Sequence, residues 1–133
     1  MSTKQPPELS HGLIHVFKAF TYSMGGLRYA LKSSSAFRQE GLVLLALCAV
    51  LWLTGKEAGT WALCLAGWLA VMAAELINSA LEEAFNLITM EYSEGVKAGK
   101  DMGSAAVFVL MCANGLIWMY FFGSDLLALV TGL

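Results

Sequence analysis

Six polar residues, Glu75, Asn78, Ser79, Glu82, Glu83 and Asn86, interrupt a stretch of sequence that is otherwise almost wholly apolar. At about 100° per residue on an α-helix, Asn78 lies ~60° and Glu82 ~20° to one side of Glu75, with Asn86 ~20° and Ser79 ~40° to the other. Glu83 stands apart, ~80° round the helix. The others form one narrow stripe. A carboxylate on such a stripe suits general-base work, taking the proton of a group as it reacts. The same stripe could instead do no more than hydrogen-bond neighbouring helices.

A second cluster, Lys97-Ala98-Gly99-Lys100-Asp101-Met102-Gly103-Ser104, places Lys beside Asp ahead of an uncharged run. Lys there could pair with a nucleotide phosphate while Asp orients a partner; a solvated basic connector is the alternative. The segment Gly95-Val96-Lys97-Ala98-Gly99-Lys100-Asp101 is like a P-loop only in outline. Its glycines are one residue too close, Asp101 stands where Ser or Thr is needed, and no strand precedes it. A nucleotide site here would lie outside the usual nucleotide-binding folds. His11 and His15 are four apart but have no third ligand at matching spacing. Cys48, Cys64 and Cys112 fall in apolar runs without a CxxC motif, which predicts buried, unreactive thiols.

Charge sets the elements that must hold these residues. The 133-residue chain is 58% hydrophobic and 14% charged, about half the charge of an average soluble domain. Its apolar content excludes disorder, and 8 Lys and Arg against 10 Asp and Glu leave no basic field for nucleic acid. Uncharged runs cover residues 41–55, 58–74 and 102–124. The last is long enough by itself to cross ~30 Å of hydrocarbon. The pattern predicts one all-α membrane domain over 1–133, with transmembrane helices over 38–55, 58–86 and 102–124 and a loop over 87–101. A polar tail over 1–10 and an amphipathic surface helix and turn over 11–35 come first. In that helix Leu13, Val16, Phe17, Phe20, Met24 and Leu27 recur at helical spacing among Lys18, Arg28 and Lys32, which suits the headgroup layer. Gly25-Gly26 is expected to bend or break it. Trp52, Trp61, Trp68 and Trp118 read as lipid-facing or interfacial anchors and packing, not as a cofactor box. All of the Lys and Arg except Lys56 flank one side of the spans, so the N-terminus and the 87–101 loop are expected in the cytoplasm and the C-terminus outside. Residues 1–9 are polar and contain Pro6-Pro7, unlike a signal peptide. Glu75, after the uncharged run 58–74, then falls at or just inside the membrane surface. An ionisable group costs about 2–4 kcal/mol near mid-bilayer, and less towards the interface, so its retention points to function.

Three segments together resemble the prokaryotic diacylglycerol kinase family. They are Ala36-Phe37-Arg38-Gln39-Glu40-Gly41, Glu75-Leu76-Ile77-Asn78-Ser79-Ala80-Leu81-Glu82 and Ala98-Gly99-Lys100-Asp101-Met102-Gly103-Ser104-Ala105-Ala106. Lys18, Tyr22, Ser23, Gly26, Leu27 and Arg28 fit the family's N-terminal helix, so the resemblance covers about residues 13–122. It implies a small kinase of the bacterial inner membrane, a homotrimer of three transmembrane helices and a surface helix per chain, with sites shared between subunits. Its reaction would move the γ-phosphate of MgATP to the primary hydroxyl of diacylglycerol, giving phosphatidic acid. Carried over by position, Glu75 would be the general base and Asn78 its support. Glu82 would hold Mg²⁺ on the ATP phosphates. Lys100 and Asp101 would contact the nucleotide, with Tyr22 and Glu91-Tyr92-Ser93. Lys18, Tyr22, Arg28, Arg38, Gln39, Glu40 and Ser104 would join Glu75 in shaping the lipid and phosphate region. The row Ala62, Ala66, Ala70 and Ala74 would permit close helix approach in the assembly.

The chain departs from the family's pattern at three positions. A metal-binding Glu of the family falls on Ser34, an Asp on Asn86 and a basic residue on His15. Beside the diacylglycerol kinase reading, two others stand: an undecaprenol (polyprenol) kinase, and a lipid-binding homologue of weak or absent activity.

Overall fold

The computed structural model describes the backbone of residues 9–89 and 91–132, with side chains from residue 14 onward. Four helices fill it: α1 Leu9–Ser33, α2 Ser35–Leu53, α3 Ala58–Ile88 and α4 Glu94–Thr131. The protein is all-α, and α2, α3 and α4 are each long and apolar enough to cross a membrane. Helices satisfy their own backbone groups, as a chain in hydrocarbon must. Residues 1–8 of the expected tail, and the side chains of His11 and Leu13, lie outside the described residues.

The chain divides into two compact units, α1 and the three helices from Ser34 onward. Along α1, Val16, Phe17 and Phe20 are exposed together with Lys18 and Arg28. The expected break at Gly25-Gly26 does not occur: α1 is continuous, and neither glycine has a positive φ. Each glycine costs a helix about 1 kcal/mol, which propagation on both sides of the pair offsets.

Ser34 starts the second unit. It is the one non-helical residue between α1 and α2, and its Oγ accepts the Phe37 N–H at 3.0 Å as the N-cap of α2. α2 ends at Thr54 and Gly55, the latter at φ 60° in the left-handed region that glycine enters without strain. α3 packs against both α2 and α4, most extensively against α4. The α3–α4 pair is antiparallel and is drawn together at three glycines. A Cβ on Gly67 would strike the Asn114 amide, one on Gly99 the Phe85 ring, and one on Gly103 the Asn78 Oδ1. Asn114 is buried in mid-α4, its Nδ2 3.5 Å from the Cys64 carbonyl oxygen. Ala62, Ala66 and Ala70 take no part in this packing and are exposed.

The far end of the unit is tied by one cation. Lys56 Nζ lies 2.6 Å from Asp125 Oδ2, donates to the Phe121 carbonyl at 3.1 Å, and sits 4.7 Å from the centre of the Phe122 ring. Asp125 is 54% exposed at its side chain, so solvent screens the ion pair; the ring and carbonyl contacts add to it. Lys56→Met is expected to cost about 1–2 kcal/mol, read as a lower thermal midpoint in detergent. Asp125→Asn, which spares the ring and the carbonyl, should cost less.

Several expectations are corrected. The connection before the last helix is shorter than 87–101, because α3 runs to Ile88 and α4 begins at Glu94. Lys97 and Asp101, expected in a loop, form an i,i+4 ion pair at 2.6 Å on α4. Cys64 is buried, but Cys48 is half-buried and Cys112 exposed, since depth in a span is not burial within the chain. Trp52 faces outward at 78% exposure, whereas Trp68 donates its Nε1–H to the Glu40 carbonyl at 2.9 Å. Trp118 stacks on Phe122 with ring centres 4.9 Å apart. The Trp68 bond ties α3 to α2, whereas the Trp118 stack lies within α4.

Candidate active site

The stripe on α3 divides by depth. Glu75 and Asn78 are buried, Ser79 is half-buried, and Glu82, Glu83 and Asn86 are exposed. The polar face therefore runs from the interior of the helix unit to its end, with Glu82 about 10 Å and Asn86 about 16 Å along the axis from Glu75.

Two hydroxyls converge on the inner carboxylate. Ser34 Oγ donates to Glu75 Oε1 at 3.2 Å, and Ser79 Oγ donates to the same oxygen at 3.1 Å. Ser34 arrives from the start of α2 and Ser79 from the next turn of α3. From α2 also comes Glu40, 5% exposed, whose Oε2 is buried with no hydrogen-bond partner. Glu40 and Glu75 lie close enough to feel each other's charge. Asn78 Oδ1 is likewise buried without a partner and faces the bare Cα of Gly103. It borders a groove of about 380 Å³ between α3 and α4, whose apolar walls include Leu81, Phe85, Met102 and Ala106. Buried polar atoms left unmatched are rare and costly, and both of these lie beside Glu75.

Further along the stripe, Lys100 Nζ donates to Asn86 Oδ1 at 2.7 Å, linking α4 to α3. Asp101 is held by Lys97. Glu91 and Tyr92 are exposed in the connection, where the Glu91 N–H donates to Thr89 Oγ1 at 3.0 Å. Ser93 caps the start of α4, its carbonyl accepting the Lys97 N–H at 2.9 Å. Arg38, Gln39 and Ser104 are exposed on α2 and α4. Lys18, Tyr22 and Arg28 are exposed on α1, in the other unit.

The structure thus brings Glu75, Glu40, Ser34 and Ser79 together, sets Asn78 against Gly103, and joins Asn86 to Lys100. Ser34 and Gly103 were not assigned these contacts from the sequence. The signal for Ser34 was present: a Ser three residues before Phe37, opening an apolar helix, is an N-cap pattern. No group of three or more His, Cys, Asp or Glu suited to a metal exists among the described residues. One exposed carboxylate, Glu82, fits Mg²⁺ that arrives already bound to phosphates, since that ion keeps its waters and takes few protein ligands.

Three helices long and apolar enough to span, with a buried carboxylate on α2 and another on α3, define a membrane protein. The family model described as prokaryotic diacylglycerol kinase matches residues 21–122. The chain belongs to the prokaryotic diacylglycerol kinase family, and is a kinase. It is 41% identical over 108 residues to the diacylglycerol kinase of Escherichia coli K12, covering 80% of this chain and 88% of that protein. To the diacylglycerol kinase of Haemophilus influenzae it is 36% identical over 107 residues, 80% of this chain and 91% of the relative. To that of Helicobacter pylori it is 36% identical over 131 residues, 97% and 98% of the two chains.

Proposed function

We propose that the protein transfers the γ-phosphate of ATP to the primary hydroxyl of diacylglycerol, giving phosphatidic acid and ADP. The observation that carries this reading is Glu75, 7% exposed, with Oε1 held by two serine hydroxyls at the inner end of a polar stripe. A lipid hydroxyl reaches that depth laterally from the bilayer, whereas a soluble acceptor would have to leave water. Glu75 takes the hydroxyl proton as the oxygen bonds to the γ-phosphorus, and the bond from that phosphorus to the β-bridging oxygen breaks, releasing ADP. The transfer needs chiefly positioning and charge neutralisation. Lys100, steadied by Asn86, supplies a cation for the phosphates about 16 Å from the Glu75 level, with the triphosphate laid along the stripe between them. Glu82 is the residue that would hold Mg²⁺, which when bound neutralises phosphate charge.

Exposed site residues, among them Gln39 on α2, Glu82 on α3, Tyr92 in the connection and Ser104 on α4, favour sites completed by a neighbouring subunit, as in a homotrimer. The exposed row Ala62, Ala66 and Ala70 gives helices of two copies a place to approach closely. The lysine distribution favours an inner-membrane orientation with the α3–α4 connection in the cytoplasm.

The test is transfer of radiolabel from γ-labelled ATP to lipid in mixed micelles, with diacylglycerol and undecaprenol supplied separately and in competition. Labelled phosphatidic acid, lost when Mg²⁺ is chelated and restored on its return, is the expected result. Preferential labelling of undecaprenol would replace the acceptor, and labelling of neither lipid would overturn the reading.

A further inference from the structure

The Ser34 hydroxyl is engaged on two sides at once. Its oxygen accepts the Phe37 N–H at 3.0 Å, and its proton goes to Glu75 Oε1 at 3.2 Å. A serine hydroxyl has one donor and two lone pairs, so these bonds commit its only proton and one lone pair. Its location is set by backbone: the acceptor role fixes Ser34 to the first turn of α2, where Phe37 is 5% exposed and locked in packing.

Glu75 needs such a reference. The terminal torsion of a glutamate is broad, so a carboxylate is not aimed by its own rotamer. Ser79, on the same helix and one turn on, moves with Glu75 and constrains it only in part. Ser34 belongs to another helix and supplies a fixed point outside α3. At 7% exposure the carboxylate has little water available to replace either donor.

We propose that Ser34 is a positioning residue for Glu75: with Ser79 it holds Oε1, so that Oε2 is the oxygen presented to the acceptor hydroxyl. This rests on Glu75 being the general base. In this chain the residue at that position does a different job from the metal-binding carboxylate that the family resemblance implies, because its proton points at Glu75.

Steady-state rates on the purified full-length protein, with diacylglycerol and MgATP varied separately, test this. Ser34→Ala should lower kcat about tenfold with both KM values within about twofold, the loss expected for one hydrogen bond to a charged group. Ser34→Thr keeps the hydroxyl and should recover most of that loss. Ser34→Asp keeps the N-cap acceptor but removes the donor and sets a third carboxylate beside Glu75 and Glu40, so it should be at least as slow as Ser34→Ala and have a lower thermal midpoint. Wild-type kcat in Ser34→Ala and Ser34→Asp, while Glu75→Gln is inactive, would overturn the positioning role and leave the base intact. A loss confined to KM for MgATP, or a Ser34→Glu variant faster than wild type, would overturn it in favour of a metal-ligand position. Full turnover in Glu75→Gln would instead remove the base assignment on which the proposal stands.

Discussion

Glu75→Gln is expected to lower the turnover of phosphoryl transfer by about 10²–10⁴-fold, the usual share of a general base, with little change in KM for either substrate. The substitution is nearly isosteric. Its amide oxygen can still accept from Ser34 and Ser79, which now meet Oε1 of the carboxylate at 3.2 and 3.1 Å. The local structure should therefore survive, and the loss should fall on kcat because the proton acceptor acts in the transition state. Glu82→Gln offers the contrast. Glu82 is exposed and lies about 10 Å along the stripe from Glu75, so its loss should raise the Mg²⁺ concentration needed for half-maximal rate. Equal effects of both substitutions on kcat alone would remove the distinction between base and metal contact.

Gly103→Ala should damage both the packing of α3 on α4 and the rate. A Cβ there meets Asn78 Oδ1 inside any normal contact distance. Either Asn78 swings away from Glu75, or α3 and α4 separate along a packed seam. Overpacking of this kind costs about 1–3 kcal/mol, and a displacement of about 1 Å at a reacting centre is enough for a hundredfold loss of rate. Thermal midpoint and kcat are expected to fall together. Gly25→Ala adds the same methyl where nothing lies within 4 Å, on a helix with ordinary backbone. It should leave activity unchanged and stabilise α1 by up to about 1 kcal/mol. A Gly103→Ala protein with wild-type midpoint and rate would mean that the seam yields there at no cost.

The membrane helices were readable in advance because charge is scarce and placed in blocks, and α3 because polar residues repeating at helical spacing stand out on an apolar background. What escaped the sequence involves partners far apart along the chain. Ser34 and Glu75 are 41 residues apart, and a serine that reads in the sequence as a lost ligand lies 3.2 Å from the carboxylate it donates to. Lys97, Lys100 and Asp101 suggested a loop by composition, yet the i,i+4 pairing of Lys97 with Asp101 is what a helix start can use. The alanine row suggested close packing, but inside the chain glycines at 67, 99 and 103 perform that role. Small residues permit approach without stating which neighbour comes near.

The length of α4 has a mechanical consequence. Its 38 residues extend about 57 Å, longer than the ~30 Å of hydrocarbon, so Lys97, Lys100 and Asp101 stand on a helical stalk rather than a tether. On the proposed reading, groups on such a stalk would meet the nucleotide already ordered, and little freedom would be lost when it binds. Such a stalk also keeps a fixed height. If Lys100 binds the nucleotide as proposed, hydrocarbon thickness becomes a variable of the reaction, since a bilayer that swallowed another turn of α4 would draw Lys100 towards the lipid.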